Sequence, residues 1–282
     1  MGVARRIGVI GVGRMGRPIA LRLAAAGHEV VVHDADAAAT SGFATATPPE
    51  LAAWSEVLVT VLPGTPELVA VAAEFGEVAG VWIDVTSADP RVATELAVGR
   101  RFVGAPMSGG PEGAASGALR FFAGGEAEHV ALAREVLAPL GEVVEVGPDP
   151  ASGYTVKLLA NLLWFGQSIA VAEALLLGQR VGLEPEALRA LLADSPGGSA
   201  YLDRWAPRLL EGDYLRDFGL DRIVEELDAI TGVAADVGTP FELSALVARL
   251  HRDALARFGP VDGELLATAL LEERAGRLLR RS

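Results

Sequence analysis

The sequence of 282 residues contains no cysteine, and only one of its 24 basic residues is a lysine. Without cysteine the chain has no disulfide framework, no thiolate metal ligand and no cysteine nucleophile. The net charge of -13 argues against nucleic acid as a partner, because a phosphate backbone requires a basic surface. No secretory n-region and h-region precede the first strand pattern. We therefore expect a soluble cytoplasmic protein that acts on a small molecule.

One apolar run, from Leu158 to Gly178, resembles a membrane span in length. It contains Asn161, Gln167 and Glu173, and polar or ionisable groups at that depth of a bilayer are unfavourable. We therefore interpret the run as a buried helix and expect no membrane partner.

Up to about Val146, short β-rich runs alternate with helical patterns. The predicted strands are Ile7–Ile10, Val30–His33, Val57–Leu62, Val81–Val85, Phe102–Gly104, Leu119–Ala123 and Glu142–Val146. The predicted helices are Arg14–Ala26, Pro49–Trp54, Pro66–Phe75, Pro90–Gly99 and Glu126–Leu140. Alternation of apolar strands with helices indicates an α/β domain whose mostly parallel, doubly wound sheet is covered on both faces.

The pattern changes at Gly147, Pro148 and Pro150, and from there it predicts one helix of about 30 residues, longer than is usual in globular proteins. Shorter helices are predicted at Glu186–Leu192, Tyr201–Leu210, Leu220–Val237, Phe241–Phe258 and Gly263–Arg280. We predict two domains: residues 1–149 form the α/β domain, and residues 150–282 form an all-α domain led by the long interdomain helix.

The segment Gly11-Val12-Gly13-Arg14-Met15-Gly16 fits the pattern G-x-G-x-x-G between the first strand and the first helix. In a Rossmann-type domain Gly11 permits the tight turn, Gly13 lets the backbone approach a pyrophosphate, and Gly16 lets the helix pack on the strand. The helix N-terminus adds amide donors for the anion. This context predicts a dinucleotide site, although a purely structural glycine turn remains an alternative.

The second predicted strand is followed by Asp34, 18 residues beyond Gly16. A carboxylate at this place accepts hydrogen bonds from the ribose hydroxyls of the adenosine and repels a 2′-phosphate. We therefore expect NAD to be preferred over NADP. Asp36 lies close enough in sequence to be the alternative acid.

Lys157 is the only lysine and Asn161 the only asparagine, and their spacing of four places both on one face of the long helix. Arginine stays protonated in proteins, whereas a lysine can be tuned to release its proton. Lys157 is therefore a candidate general acid/base, with Asn161 to hold the reacting oxygen or to orient the lysine. The alternative is a lysine that merely snorkels near a helix start.

Several further segments occur in an order that resembles the β-hydroxyacid dehydrogenases, the family of 3-hydroxyisobutyrate dehydrogenase, related in fold to 6-phosphogluconate dehydrogenase. After Gly11–Gly16 come Leu62-Pro63, Asp84-Val85-Thr86-Ser87, Ala105-Pro106-Met107-Ser108-Gly109-Gly110 with Gly113-Ala114 and Gly117, and Gly153-Tyr154-Thr155-Val156-Lys157 with Asn161. The resemblance spans nearly the whole chain.

The resemblance implies that Leu62, Pro63 and Thr86 line the nicotinamide and ribose side of a cofactor cleft. It implies that Ser108 and the amides of Gly109 and Gly110 hold a substrate carboxylate; without it, this segment would be interpreted as a plain loop. Lys157 would take the hydroxyl proton as hydride leaves for the nicotinamide. The implied activity is NAD(P)-dependent oxidation of a small 3-hydroxy acid or reduction of its semialdehyde.

Two positions depart from the family pattern. Gly104 stands where an aspartate usually precedes Ala-Pro, and Glu225 and Glu226 stand where Lys-Asp is usual after Phe218. Two acids there would suit an imine or an uncharged carbonyl substrate, unless both simply face solvent. A non-catalytic dinucleotide sensor is the alternative of another class. Because the long helix is apolar nearly all round, we also expect a homodimer or homotetramer formed through the C-terminal helices.

Overall fold

The structure, a computed structural model, describes residues 3–281. The strands are β1 Arg6–Ile10, β2 Glu29–His33, β3 Ala44–Thr45, β4 Val57–Thr60, β5 Val81–Asp84, β6 Phe102–Gly104, β7 Met107–Ser108, β8 Leu119–Gly124 and β9 Gly141–Gly147. The helices are α1 Gly16–Ala25, α2 Pro48–Trp54, α3 Thr65–Phe75, α4 Pro90–Ala97, α5 Gly110–Ser116, α6 Ala127–Leu137, α7 Pro150–Arg180, α8 Pro185–Ala193, α9 Ala200–Arg204, α10 Ala206–Leu210, α11 Leu220–Asp236, α12 Glu242–Phe258 and α13 Leu266–Ala275.

The strands of the described chain form a single sheet in the order β3-β2-β1-β4-β5-β6-β8-β7, and β9 pairs with β8. The strands from β1 to β6 pair in parallel, and only the pairs of β8 with β6 and with β7 are antiparallel. All residues of β4 and β5 are buried, as expected for strands with helices on both faces. The predicted mostly parallel, doubly wound sheet is confirmed.

The carboxyl ends of the parallel strands are aligned across the sheet. Ile10 of β1 pairs with His33 of β2 and with Thr60 of β4, Thr60 pairs with Asp84 of β5, and Asp84 pairs with Gly104 of β6. We call these five residues the strand-end row. Segments that follow them leave the sheet at one edge, where α/β proteins bind their ligands.

Three short elements were not expected from the sequence: β3, β7 and α5. The interpretation of Ser108 to Gly110 as a plain loop is wrong, because Ser108 ends β7 and Gly110 begins α5. A two-residue strand is too short for any periodicity to show it. The first helix also begins later than predicted, at Gly16 rather than at Arg14.

In the described residues after β9, the regular elements are the helices α7 to α13 and none is a strand, which confirms the all-helical second half. The predicted helix Tyr201–Leu210 is divided into α9 and α10 at Trp205, because Pro207 lacks the amide hydrogen that a continuous helix needs. The predicted helix Gly263–Arg280 is shorter, since α13 ends at Ala275 and Gly276 takes the left-handed conformation.

The chain divides into two compact units, the first ending at Leu158 and the second beginning at Leu159 within α7. The domain boundary after residue 149 stays a prediction. In the first unit, two apolar clusters cover the faces of the sheet. One includes Ile7 and Val59, and the other includes Leu58 and Trp82. In the second unit the helices enclose two further clusters.

The long helix α7 is apolar and long enough to cross a membrane, and 44% of its most apolar window is buried. Core helices of soluble proteins meet the same criterion of length and composition. Leu162 and Phe165 of α7 belong to a core cluster of the second unit. These contacts support the interpretation of α7 as a core helix.

Candidate active site

The glycine-rich turn joins β1 to α1. A Cβ on Gly11 would overlap the carbonyl oxygen of Val61, and a Cβ on Gly16 would overlap the carbonyl oxygen of Gly11. Around Gly13, by contrast, no atom lies within 4 Å of an added Cβ, and Gly13 is exposed. Two glycines are therefore needed for backbone packing, and the middle one leaves the open approach that a pyrophosphate requires. The residues present fit a dinucleotide.

Asp34 follows β2 and lies beside this turn. Its Oδ2 accepts a hydrogen bond from the amide of Val12 at 2.7 Å, and its Oδ1 accepts one from the amide of Asp36 at 2.9 Å. The carboxylate is thereby oriented at the edge of the sheet by two backbone donors. Each oxygen retains a lone pair for a ribose hydroxyl, because an ionised carboxylate has about four acceptor sites. Asp36 caps its own loop, accepting from the amide of Ala38.

The three residues expected beside the nicotinamide follow β4 and β5. Leu62 is half-buried and Pro63 exposed, whereas Thr86 is fully buried. The amide of Leu62 donates to Oγ1 of Thr86 at 3.1 Å, so the two loops are joined at the same edge. Because the Thr86 hydroxyl is already hydrogen-bonded, this residue offers a ligand its backbone rather than its side chain.

A buried hydrogen-bond network centres on Asp84, the last residue of β5. Its Oδ1 accepts from the hydroxyls of Thr60 at 2.5 Å and Thr86 at 2.7 Å, and its Oδ2 accepts from the Tyr154 hydroxyl at 2.6 Å. The indole of Trp82 donates to Thr60 Oγ1 at 2.9 Å. Burial raises the pKa of Asp84 to about 6, against the opposing effect of the hydroxyl donors. Burial and the adjacent Asp84 raise the pKa of Tyr154 well above its ordinary value.

The segment from Ser108 to Gly110 is exposed at the end of β7 and the start of α5. Gly109 and Gly110 have φ of 127° and 63°, a pair of conformations that side chains disfavour. The first intrahelical bond runs from the amide of Gly113 to the carbonyl of Gly109, so the amides of Gly109 and Gly110 precede it. Two such amides beside a serine hydroxyl are suited to a carboxylate.

Lys157 lies on the second turn of α7, and the first turn packs closely on the sheet. A Cβ on Gly153 would overlap the carbonyl oxygens of Phe122 and Gly104, and a Cβ on Gly124 would overlap the carbonyl oxygen of Asp149. The helix start is therefore in backbone contact with β6 and β8 beside the strand-end row. Lys157 itself is half-buried.

In the second unit, Nδ2 of Asn161 donates to Oε2 of Glu226 at 2.6 Å. Glu226 is only 6% exposed, so the alternative that both acids face solvent is wrong for this residue. Glu225 is half-buried, and its carboxylate accepts from the guanidinium of Arg222 at 2.9 Å. The position where the family usually has a cation thus holds one member of an ion pair.

The structure places the predicted cofactor residues along one edge of the sheet, beside the helix turn that carries Lys157. Sequence reasoning did not single out Asp84 or Tyr154, and it named Glu226 only as a departure from the family pattern, not as the partner of Asn161. A carboxylate inside a strand predicted to be buried on both faces, as in Val81–Val85, was a usable signal for Asp84, because a buried charge needs donors. No local signal indicates that Glu226 pairs with Asn161, 65 residues away in sequence.

Comparison with known proteins agrees with this geometry. Residues 6–147 match the NAD binding domain of 6-phosphogluconate dehydrogenase, and residues 151–270 match the family described as NAD-binding of NADP-dependent 3-hydroxyisobutyrate dehydrogenase. An L-threonate dehydrogenase of Cupriavidus necator is 33% identical over 86% of this chain and 88% of its own length. The mitochondrial 3-hydroxyisobutyrate dehydrogenase of Mus musculus is 30% identical over 87% and 81%.

Among solved structures, Mycobacterium tuberculosis 3-hydroxyisobutyrate dehydrogenase with L-serine has a TM-score of 0.86 at 24% identity, covering 95% of this chain and 99% of that one. This likeness confirms the fold, and the sequence relatives are enzymes rather than sensors. The chain therefore belongs to the β-hydroxyacid dehydrogenase family and is an NAD(P)-dependent oxidoreductase that acts on CH–OH groups.

Proposed function

We propose that the enzyme interconverts a small 3-hydroxy acid and its semialdehyde, with Lys157 as general acid/base. The observation that carries this proposal is the position of the only lysine. It lies one turn beyond the helix start that packs on the strand-end row, and the predicted dinucleotide residues leave the sheet at that row. Binding a dinucleotide would not by itself require a titratable amine at this place.

When bound, the nicotinamide supplies the hydride acceptor for oxidation or the hydride donor for reduction. The glycine-rich turn and Asp34 hold the other end of the dinucleotide. Lys157 Nζ takes the proton from the substrate hydroxyl in oxidation and returns it to the carbonyl oxygen in reduction. Asn161, four residues further along α7, orients the reacting oxygen, while Glu226 holds the Asn161 side chain by its 2.6 Å hydrogen bond.

The carboxylate of the substrate is assigned to Ser108, Gly109 and Gly110. These residues offer a hydroxyl and two amides at the exposed start of α5, and an anion at such a place is stabilised by several converging donors. L-Threonate and 3-hydroxyisobutyrate, for which the relatives are named, are both hydroxy carboxylates. They are therefore the first compounds to test.

We propose NAD as the preferred cofactor because of the environment of Asp34. The loop from residue 34 to residue 43 contains no lysine or arginine that would pair with a 2′-phosphate. Arg17 reaches this loop, but its guanidinium donates to the carbonyls of Ala39 at 2.9 Å and Ser41 at 3.0 Å. A second negative group beside Asp34 would be repelled.

A second candidate substrate class is an imine or an uncharged carbonyl. The supporting observation is the buried carboxylate of Glu226, which accepts the hydrogen bond from Asn161. Glu225 also stands in place of the usual lysine. A negative charge held there favours a neutral or cationic substrate over an anion. The relatives named for hydroxy acids make this the second choice.

A panel of L-threonate, 3-hydroxyisobutyrate, L-serine, the matching semialdehydes and a cyclic imine, each assayed with both cofactors, separates these candidates. For the acid/base role, Lys157→Arg is expected to lower kcat by about 100-fold or more while NADH affinity stays within about twofold. Arg180→Lys, the converse exchange at the other end of α7, is the matched control and should be neutral. Full turnover by Lys157→Arg would disprove the assignment, and activity on imines alone would disprove the hydroxy-acid substrate.

We also propose that the protein is a soluble, cytoplasmic homodimer or homotetramer. Leu159, Leu163 and Leu177 share one face of α7 and are 41%, 65% and 68% exposed. Burying a fully exposed leucine is worth about 1.5–3 kcal/mol, so each of these partly exposed side chains would contribute about 0.6–2 kcal/mol if a second copy covered it. Light scattering at micromolar concentration should show an oligomer that Leu163→Glu dissociates; a monomeric wild type would contradict the proposal.

A further inference from the structure

Tyr154 lies three residues before Lys157, so the two side chains are neighbours on α7. Its ring is fully buried, and its hydroxyl donates to Oδ2 of Asp84 at 2.6 Å, across 70 residues of sequence. A hydrogen bond to a buried carboxylate is among the stronger contacts in a protein. The helix turn that precedes the lysine is therefore tied directly to the end of β5.

The carboxylate of Asp84 is itself held in one orientation. Both threonine hydroxyls on its Oδ1 have their directions set by N–H donors: Trp82 Nε1 donates to Thr60, and the Leu62 amide donates to Thr86. A continuous chain of hydrogen bonds thus runs from the Leu62 amide through Thr86 and Asp84 to Tyr154. It links the loops expected beside the nicotinamide to the turn that carries Lys157.

Gly104 makes room for this link. A Cβ at Gly104 would overlap the ring of Tyr154 and approach the carbonyl oxygen of Pro150 to 2.6 Å. The family pattern usually has an aspartate at this position, and its side chain would displace the tyrosine. Gly104, one of the departures from the family pattern, therefore leaves the space that the Tyr154 ring fills between the strand ends and α7.

We propose that Tyr154 is a positioning residue for Lys157: its hydrogen bond to Asp84 sets the lysine relative to the loops of Leu62 and Thr86. This inference rests on the proposed acid/base role of Lys157. Without the hydroxyl, Asp84 loses a donor and the first turns of α7 are free to shift. A displacement of about 1 Å lowers a rate by about 100-fold in favourable cases, so kcat is expected to fall about 10- to 100-fold.

The test compares Tyr154→Phe with Tyr201→Phe. Tyr201 is also a buried tyrosine, and its hydroxyl has no hydrogen-bond partner within the described part of the chain. Both variants lose one oxygen from a buried ring, but only the first breaks the link. We expect the fall in kcat in Tyr154→Phe alone, with KM and the NADH dissociation constant changed by less than about threefold, because the cofactor-binding turn is untouched.

A second readout needs no substrate. Because Lys157 is the only lysine, protein labelled with [ζ-15N]lysine gives one lysine side-chain resonance. Its chemical shift, its pH titration and its response to NADH report the environment of the amine directly. Tyr154→Phe is expected to change all three, and Tyr201→Phe to leave them as in the wild type.

Asp84→Asn is the conservative variant. The amide oxygen can keep both threonine donors, and the amide nitrogen can donate to the Tyr154 hydroxyl, which then accepts. The link survives without its charge, so kcat should stay within about threefold of the wild type. This variant also maintains the test if Tyr154→Phe fails to fold.

The inference is overturned if Tyr154→Phe matches Tyr201→Phe in kcat and in the lysine resonance, or if Asp84→Asn lowers kcat by about tenfold or more relative to the wild type. Loss of activity in Lys157→Arg together with either result would leave the proposed function intact and remove only the positioning role. Full activity of Lys157→Arg would instead remove the proposed function itself.

Discussion

The glycine-rich turn allows cofactor binding to be separated from folding with one methyl group. Gly13→Ala and Gly16→Ala make the same chemical change three residues apart. The added Cβ at Gly13 meets no atom within 4 Å, and Gly13 is not among the glycines with positive φ. At Gly16 the same group would overlap the backbone carbonyl of Gly11. The two variants should therefore fail in different ways.

The expected magnitudes follow from these contacts. Gly13→Ala should leave the fold unchanged or stabilise it by about 0.4–1 kcal/mol, because alanine restricts the unfolded chain. Gly16→Ala should destabilise the fold by about 1–3 kcal/mol, the usual effect of forcing backbone apart in a packed region. For a domain of this size that lowers Tm by about 2–4 °C per kcal/mol.

The effect on dinucleotide affinity should be direct in Gly13→Ala, the variant whose stability is kept. In Gly13→Ala the methyl group occupies the approach to the pyrophosphate, so the NADH dissociation constant should rise at least about tenfold, equivalent to 1.4 kcal/mol. Energy transfer from tryptophan to NADH measures the affinity, and a thermal melt without cofactor measures stability. Unchanged NADH affinity in Gly13→Ala would refute the idea that this turn holds the pyrophosphate, and unchanged stability of Gly16→Ala would refute the packing argument.

Two further predictions concern acidic groups. Asp34→Ser should weaken NAD binding and improve NADP binding, shifting the ratio of their kcat/KM values by about tenfold or more, since the charge that repels a 2′-phosphate is removed; an unchanged ratio in steady-state kinetics would exclude Asp34 as the selective residue. For Asp84 the folded chain has a pKa of about 6 against 3.8 when unfolded, so the folded state binds the proton more tightly and the free energy of unfolding falls as pH rises from about 4 to about 6, by up to about 3 kcal/mol. His251, whose pKa burial lowers to about 4, has the opposite slope in that window, losing stability as pH falls from 6.5. The measurement is therefore the difference between wild type and Asp84→Asn in urea unfolding at several pH values, and a difference that does not vary with pH would contradict the assignment.

Much of the first unit was predictable because its signals are local. The strand before Gly11, the spacing to Gly16 and the acid at Asp34 lie within one strand-helix-strand repeat, and each has a short-range physical cause. The same is true of the four-residue spacing of Lys157 and Asn161, since both lie on one helix.

The parts that were not predicted depend on pairing across the sheet or between helices. β7 has two residues and exists because it pairs with β8 at Met107 and Ser108. Tyr154 lies 70 residues from its partner Asp84, and Glu226 lies 65 residues from its partner Asn161. Residue type suggested that each needed a partner, but no spacing rule identifies which residue supplies it.

The sequence alone determined the order of the main elements and predicted the dinucleotide-binding turn and the candidate acid/base, because periodicity, glycine spacing and residue chemistry act over short stretches of chain. Tertiary structure alone decided that Thr60, Asp84 and Tyr154 meet at the strand ends, and that Glu226 is buried against Asn161. The physical reason is that a buried carboxylate is stable only where donors from distant segments converge, and convergence is a property of the packed fold.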